Sequence, residues 1–271
     1  MIGVPSPALE QATVLANGAV APSVMELVLR VPRVAAAIAP GQFVHLRVTP
    51  STDVLLRRPL SVHRAEEDRI RILYQIVGRG TDMLSRIAAG AELDLIGPLG
   101  NGWRIEQGAR RALVVAGGLG AAPMGMLVDE LHRRAVVTTV ALGALTESSL
   151  LAVELFADTC ERVEIATDDG SAGTCGFVTA VLGSLIAQEH PDVLYTCGPE
   201  PMQRAVARIA LAAGVPCQMS LERRMACGVG ACLSCVVPTV DGLKRACVDG
   251  PVFDAGDVLW ADDTAAEAVE P

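Results

Sequence analysis

The sequence predicts a multidomain protein. An antiparallel β-barrel comes first, a doubly wound α/β domain of the nucleotide-binding kind follows, and a small cysteine-rich lobe ends the chain. Three observations predict this. Residues 1–107 read as short strands broken by turn signals, and residues 108–216 alternate strand with helix. Beyond them, "MACGVGACLSC", Met225 to Cys235, crowds three cysteines and two glycines into eleven residues.

In the first unit, "VMELVLRV", "GQFVHLRVTP", "RIRILYQIV" and "AELDLIGPLG" each alternate or run apolar with Gly or Pro near an end. Short strands at such close spacing suggest a small antiparallel barrel. One helix is expected at "TDMLSRIAAG", with Thr81 as N-cap and Gly90 as stop. From Arg110 the pattern changes. "RALVVAGG", "VVTTVALGA", "RVEIATDDG" and "DVLYTCGP" read as buried strands. "APMGMLVDELHRR", "SSLLAVELFADTC", "GFVTAVLGSLIAQE" and "EPMQRAVARIALAAG" between and after them read as helices. Such alternation means a doubly wound parallel sheet. The third unit runs from Cys217 to 260, and the acidic tail 261–271, "ADDTAAEAVEP", has nothing with which to build a core.

Composition narrows the function. Hydrophobic residues make up 51% and charged residues 20%, enough for real cores. A net charge of −9 argues against a nucleic-acid partner. The most apolar window, "ALVVAGGLGAAPMGMLV", is interrupted by glycines and a proline and suits a strand, turn and helix better than a membrane span. "MIGVPSPALEQ" has neither a basic start nor an apolar stretch, so no signal peptide is expected. Eight cysteines without an export signal point to a reducing cytoplasm, where clustered thiols bind metal more often than they form disulfides.

Cys227, Cys232, Cys235 and Cys247 give C-x4-C-x2-C-x11-C. This opening with a distant fourth cysteine is the plant-type 2Fe-2S spacing. Gly228 and Gly230 let a short loop turn its N–H groups toward the sulfurs. Zinc is the rival metal, but structural zinc prefers two Cys-x2-Cys knuckles and there is one here. A Rieske centre needs two histidines, and none of His45, His63, His132 and His190 is expected near the cluster. Cys160, Cys175 and Cys217 read as buried small hydrophobes.

An iron-sulfur cluster moves one electron at a time, so a second redox group is expected. "RRPLS" offers the Arg58 fork and the Ser61 hydroxyl to phosphate oxygens, and "VGRGTDML" presents Gly78, Gly80 and Thr81 at a helix start, where an anion is favoured. In the α/β domain, "VVAGGLGAAPM" sets Gly117, Gly118 and Gly120 between strand and helix as G-G-x-G, not the Rossmann fingerprint. "TDDGSAG" and "TCGPEPM" also end strands, so three loops are expected along the sheet edge where such folds bind ligands. The bland alternative for these glycines is tight strand-to-helix packing.

The order of these motifs resembles the ferredoxin–NADP reductase superfamily. More narrowly, "RRPLS", "VGRGT", "GPLGNGW", "VVAGGLGAAPM", "TDDGSAG", "TCGPEPM", "SLERRMACGVGACLSCVV" and "CVDGPVF" are similar to the electron-transfer subunits of class B, NAD-dependent dihydroorotate dehydrogenases. The resemblance implies an FAD-binding barrel (1–107), an NAD-binding α/β domain (108–216) and a plant-type 2Fe-2S lobe (217–260). It implies that Arg58, Pro59, Leu60 and Ser61 hold FAD, that Leu73, Tyr74 and Gln75 line the flavin, and that Gly80 and Thr81 take its pyrophosphate. Gly117, Gly118, Gly120, Cys197, Gly198 and Pro199 would receive NAD, with Cys197 and Glu222 near the nicotinamide, and the four cysteines would ligate the cluster. Ser234 stands where this pattern has glycine, and Ala180 where it has an acid.

Such a chain would pass electrons from an FMN-containing catalytic subunit through the cluster and FAD to NAD, in pyrimidine biosynthesis. It would do so without an acid–base residue of its own, as a heterotetramer of two copies of each subunit. The rival readings are a flavin–iron-sulfur reductase subunit serving a hydrogenase, sulfide dehydrogenase or oxygenase, and a zinc-stabilised regulatory protein.

Overall fold

The computed structural model describes residues 7–49 and 54–260, so the acidic tail expected at 261–271 lies outside the described residues. The first sheet is built from β1 (Ala8–Ala21), β2 (Val24–Arg30), β3 (Phe43–Arg47), β4 (Arg58–Ser61), β5 (Arg64–Glu66), β6 (Arg69–Gln75) and β7 (Glu92–Leu99). Its order is β4-β3-β7-β1-β2-β6-β5, antiparallel throughout. The run 58–66 pairs with β3 at one end and with β6 at the other, and the His63 N–H donates to the Arg71 carbonyl at 2.8 Å between them. That run joins the sheet's two edges, which closes the barrel. Leu27, Leu29, Val44, Leu46, Ile70, Ile72 and Leu95 fill it.

The strands expected from alternation all form. The longest strand, β1, had no such signal. Only Ala12 and Val14 of its fourteen residues are buried, and it is held by backbone pairing to β2 and β7 on its two sides. A short helix, α1 (Pro32–Ala37), also went unexpected. The helix expected at Thr81 is α2 (Arg79–Ser85), with Gly78 as its N-cap. Thr81 lies one turn inside, where its hydroxyl accepts the Val77 and Gly78 N–H groups at 2.9 and 3.2 Å. Gly90, with φ +87°, closes a later turn rather than the helix itself.

The second sheet contains β8 (Arg111–Gly117), β9 (Val137–Ala144), β10 (Arg162–Thr167), β11 (Thr174–Cys175), β12 (Val193–Cys197) and β13 (Cys217–Ser220). It has parallel order β11-β10-β9-β8-β12-β13. Helices α3 (Gly125–Arg133), α4 (Val153–Thr159), α5 (Thr179–Glu189) and α6 (Glu200–Ala212) connect the strands. A 3-10 stretch, Gly118–Met124, precedes α3 and takes in Ala122–Met124, which the sequence assigned to the helix, and Pro123 withholds a backbone donor there. Chain order runs outward from β8 in one direction and restarts at β12 in the other. Ligands in open α/β sheets bind at that reversal.

The cysteine lobe supplies a hairpin of β14 (Val236–Thr239) and β15 (Gly242–Arg245), then returns as β16 (Val252–Asp254), antiparallel to β13. The segment expected to start the lobe at Cys217 is therefore a strand of the sheet, and so is "VFD" near its end. No helix among the described residues is long and apolar enough to cross a membrane.

Gly120 shows how tightly the reversal is packed. A Cβ there would lie 2.1 Å from the Cys197 carbonyl oxygen, whereas Gly183 in α5 faces open space. Gly120→Ala should destabilise the protein by about 1–3 kcal/mol through overpacking. Gly183→Ala should stabilise it by about 0.5–1 kcal/mol. Urea unfolding of the two variants beside the parent checks both signs.

Candidate functional site

The barrel end holds the first group. Arg58 opens β4, and the guanidinium lies directly on Gly80 in α2, where a Cβ would come within 2.5 Å of its Nη2 and Cζ. Two motifs 22 positions apart thus meet, and Gly80 is glycine because the arginine occupies the space of a side chain. Neighbouring Arg57 is engaged elsewhere, in a 2.6 Å ion pair with Asp94 and a 2.9 Å bond to the Asp94 carbonyl. Pro59, Leu60 and Ser61 are all half-buried along the same strand.

Two residues differ from expectation here. Thr81 has its hydroxyl folded back on the turn, donating to the Gly78 carbonyl at 3.1 Å, so its backbone is what it offers a ligand. Tyr74 points into the barrel core, with its hydroxyl donating to Asn17 Oδ1 at 2.9 Å, and burial pushes its pKa up to about 12. Asn17 in turn donates to the Leu84 and Ile87 carbonyls, so Tyr74 braces α2 from beneath. Strand alternation puts Leu73 and Gln75 on the opposite face.

The second group sits at the sheet's reversal point. Gly117 and Gly120 touch the Cys197–Met202 turn, where Cβ atoms would meet Met202 Sδ at 2.5 Å and the Cys197 carbonyl oxygen at 2.1 Å. These two glycines serve close packing, while Gly118, φ +53°, faces open space. Cys197 lies across from Ser220 in the β12–β13 register. Burial pushes its thiol up to about 12, the Ser220 hydroxyl opposes this, and nearby Glu222 reinforces it. Cys197 is thus a neutral side chain at the reversal point. The "TDDGSAG" loop shares the edge but joins a different neighbour, through the Glu147 N–H donating to Ser171 Oγ at 2.7 Å. Arg133 and Arg134 are held by Glu130 at the far end of α3.

The third group is the cysteine loop. Its thiols fall into two close pairs, Cys227 with Cys232 and Cys235 with Cys247. Cys235 and Cys247 are buried, Cys232 is exposed and Cys227 lies between. Backbone N–H groups aim at the sulfurs, with Gly230 donating to Cys247 at 3.2 Å and Ala231 and Val229 to Cys227 at 3.3 and 3.5 Å. Gly228 and Gly230 reach this geometry with φ of +71° and +82°. Ser234, the departure from pattern, staples the loop. Its hydroxyl accepts the Ala226 N–H at 3.2 Å and meets Cys232 Sγ at 3.2 Å. Ser234 and Cys227 together hold the Cys232 thiol down to about 6. Burial and the facing Cys235 push Cys247 up to about 12, a cost that metal coordination removes. Two thiol pairs with amides on the sulfurs fit a two-iron cluster. Among the described residues no three side chains stand arranged around a single metal ion.

Sequence separation hid one neighbour. His45, 182 positions before Cys227, packs on this loop, where a Cβ on Gly228 would lie 2.5 Å from its Nδ1. The expectation that no histidine lies near the cysteines fails at this residue. It is a single histidine, so the four-cysteine assignment stands.

A family model described as the iron-sulfur cluster binding domain of dihydroorotate dehydrogenase B matches residues 222–259. The chain is 40% identical over 255 residues to the dihydroorotate dehydrogenase B (NAD(+)) electron transfer subunit of Desulforamulus reducens, covering 92% of this chain and 97% of that one. This chain belongs to the family of dihydroorotate dehydrogenase B electron transfer subunits. The Geobacillus sp. member is 42% identical over 257 residues, with 92% and 98% covered. Among solved structures, an NADH-dependent reduced ferredoxin-NADP oxidoreductase superposes with a TM-score of 0.84 at 32% identity, covering 100% of this chain and 95% of that one. The ferredoxin reductase of carbazole 1,9a-dioxygenase, at 24% identity and a TM-score of 0.67 over 78% and 68% of the two chains, shares the fold.

For a subunit of this family, the geometry makes two predictions. Purified protein should carry about two irons and two labile sulfides per chain. Cys232→Ser should bleach the cluster's visible absorbance while flavin content holds, as iron, sulfide and flavin assays will show. Arg58→Ala removes a charge-assisted contact above Gly80 and should weaken FAD by about 1.5–3 kcal/mol. Flavin retained after dialysis measures that loss.

Proposed function

We propose that this chain is the NAD-linked electron-transfer subunit of a dihydroorotate dehydrogenase B of pyrimidine biosynthesis, connecting an FMN-containing catalytic subunit to NAD+ through a 2Fe-2S cluster and FAD. The observation that carries the reading is a four-cysteine loop whose backbone N–H groups aim at Cys227 and Cys247, in a lobe packed against both a flavin-reductase barrel and its nucleotide sheet. When bound, the flavin supplies exchange between paired electrons at nicotinamide and single electrons at the cluster, and the protein supplies position.

Each unit has its own task. In the barrel, Arg58 neutralises the FAD pyrophosphate beside Gly80 and Thr81, with Pro59, Leu60 and Ser61 along one strand and Leu73 and Gln75 on the next. At the sheet's reversal, Gly118 leaves room for NAD, and the Cys197–Pro199 turn walls the nicotinamide side. In the lobe, Cys227, Cys232, Cys235 and Cys247 hold the cluster, and the amides of Val229, Gly230 and Ala231 favour electron-rich sulfurs. No side chain need move a proton.

The catalytic partner docks on the lobe. Val229, Leu233, Val240 and Leu243 are 48%, 60%, 59% and 69% exposed there, and Cys232 is exposed as well. Val252, also apolar and at the end of the lobe, is buried in the sheet's core and takes no part in that surface. Two copies of each subunit make the assembly by family resemblance. The rival reading, a reductase subunit for a hydrogenase, sulfide dehydrogenase or oxygenase, is not favoured, because the lobe matches the dihydroorotate dehydrogenase B cluster domain.

NAD should be preferred over NADP. The loop after β9 carries Glu147 and no arginine, and the two arginines of α3 are tied to Glu130 at the opposite end of that helix. A carboxylate accepts hydrogen bonds from a ribose hydroxyl and repels a 2′-phosphate. Dye reduction by the isolated chain should show higher kcat/KM with NADH than with NADPH, and equal or reversed values would refute the assignment. The isolated chain should not oxidise dihydroorotate. Co-expression with a dihydroorotate dehydrogenase catalytic subunit should yield a stable complex with NAD-linked activity, and failure of the two to associate would overturn the proposal.

A further inference from the structure

His45 is the one wholly buried side chain in the described residues whose two ring nitrogens both lack a hydrogen-bond partner. It stands on β3, directly opposite Pro59 of the flavin strand and Ile96 of β7. Strand alternation turns Val44 and Leu46 into the barrel and His45 outward, with Phe43, toward the lobe. The cysteine loop covers it, with the Gly228 backbone set so close that any side chain there would collide with the imidazole. Gly228 thus has two reasons to be glycine, its φ of +71° and the ring beneath it.

An apolar side chain of similar volume would fill this slot without burying two polar nitrogens, so packing alone does not account for a histidine. The ring's chemistry does. An imidazole brings at least one N–H donor into a slot where neither ring nitrogen has a partner. Two backbone groups stand within reach of the ring, those of Cys227 and Arg57, and the one on the side of Nδ1, next to Gly228, belongs to the first cluster ligand.

We propose that His45 is a positioning residue that ties the cluster loop to the flavin strand, its ring N–H donating to the Cys227 carbonyl when the loop is loaded. This fixes the first ligand's height above β3 and β4, and with it the separation and electronic coupling of the cluster and the flavin. It rests on the cluster assignment made above.

The test uses the full chain with both cofactors. His45→Phe keeps a ring of similar size and loses the donor, whereas His45→Gln keeps an N–H. For His45→Phe, the reduced cluster's EPR g values and its reduction potential should both move. Cluster loss to a chelator should quicken about tenfold or more, as for other outer-shell partners of metal ligands, and FAD content should hold. His45→Gln should return the parent's spectrum and potential. Gly228→Ala, which displaces the same contact from the loop side, should reproduce the His45→Phe shift if that variant fails to fold. Parent-like spectra, potential and loss rate in His45→Phe or, where it does not fold, in Gly228→Ala overturn the inference, as does a His45→Gln protein as altered as His45→Phe. A parent protein without iron and sulfide would instead remove the cluster assignment itself, before any variant is made.

Discussion

The lobe buries its inner thiols in a core it does not own. Cys235, Cys247, Val237 and Ala246 pack with Phe43 and Leu99 of the barrel and with Leu113, Met219 and Phe253 of the sheet. Some thirty residues of loop and hairpin are too few to enclose a core alone, so the lobe must borrow from both neighbours. Its position is then set by both. Asn101, just past β7, adds to this by donating its N–H to the Gly250 carbonyl at 2.6 Å and its amide to the Val248 carbonyl at 2.9 Å. A redox relay needs its centres at fixed separations, and shared burial provides that without a dedicated linker.

The same economy operates at the reversal of the parallel sheet. Chain order turns around between β8 and β12, and the turns leaving those strands are pressed together until Gly120 touches the Cys197 carbonyl. Because β13 lies beside β12 in the sheet and leads straight into the lobe, the nucleotide edge and the cluster loop are joined through one strand. Glu222, which acts on the Cys197 thiol, lies five positions before the first cluster ligand. Nicotinamide at that edge, flavin on the barrel and cluster in the lobe would face one another across a single junction.

Much of this was legible in the sequence because local chemistry dictates it. Buried strands of the parallel sheet show as apolar runs, and the thiol spacing names its cluster because four sulfurs must reach two irons from one loop. What escaped were features decided by distant partners. β1 carries little alternation because pairing on both sides holds it. Tyr74 sits in a stretch with the right residues, yet a contact with Asn17, 57 positions away, takes its hydroxyl into the core. His45 had no signal at all, since only barrel closure and lobe docking bring it to Gly228.

In the proposed relay, nicotinamide and cluster communicate only through the flavin. The most direct measurement is anaerobic addition of NADH to the complete chain and to chain stripped of FAD with its cluster intact, followed by EPR. The complete chain should develop the reduced-cluster signal, the stripped chain should stay silent, and restoring FAD should restore the signal. Reduction of the cluster by NADH in the stripped chain would contradict it.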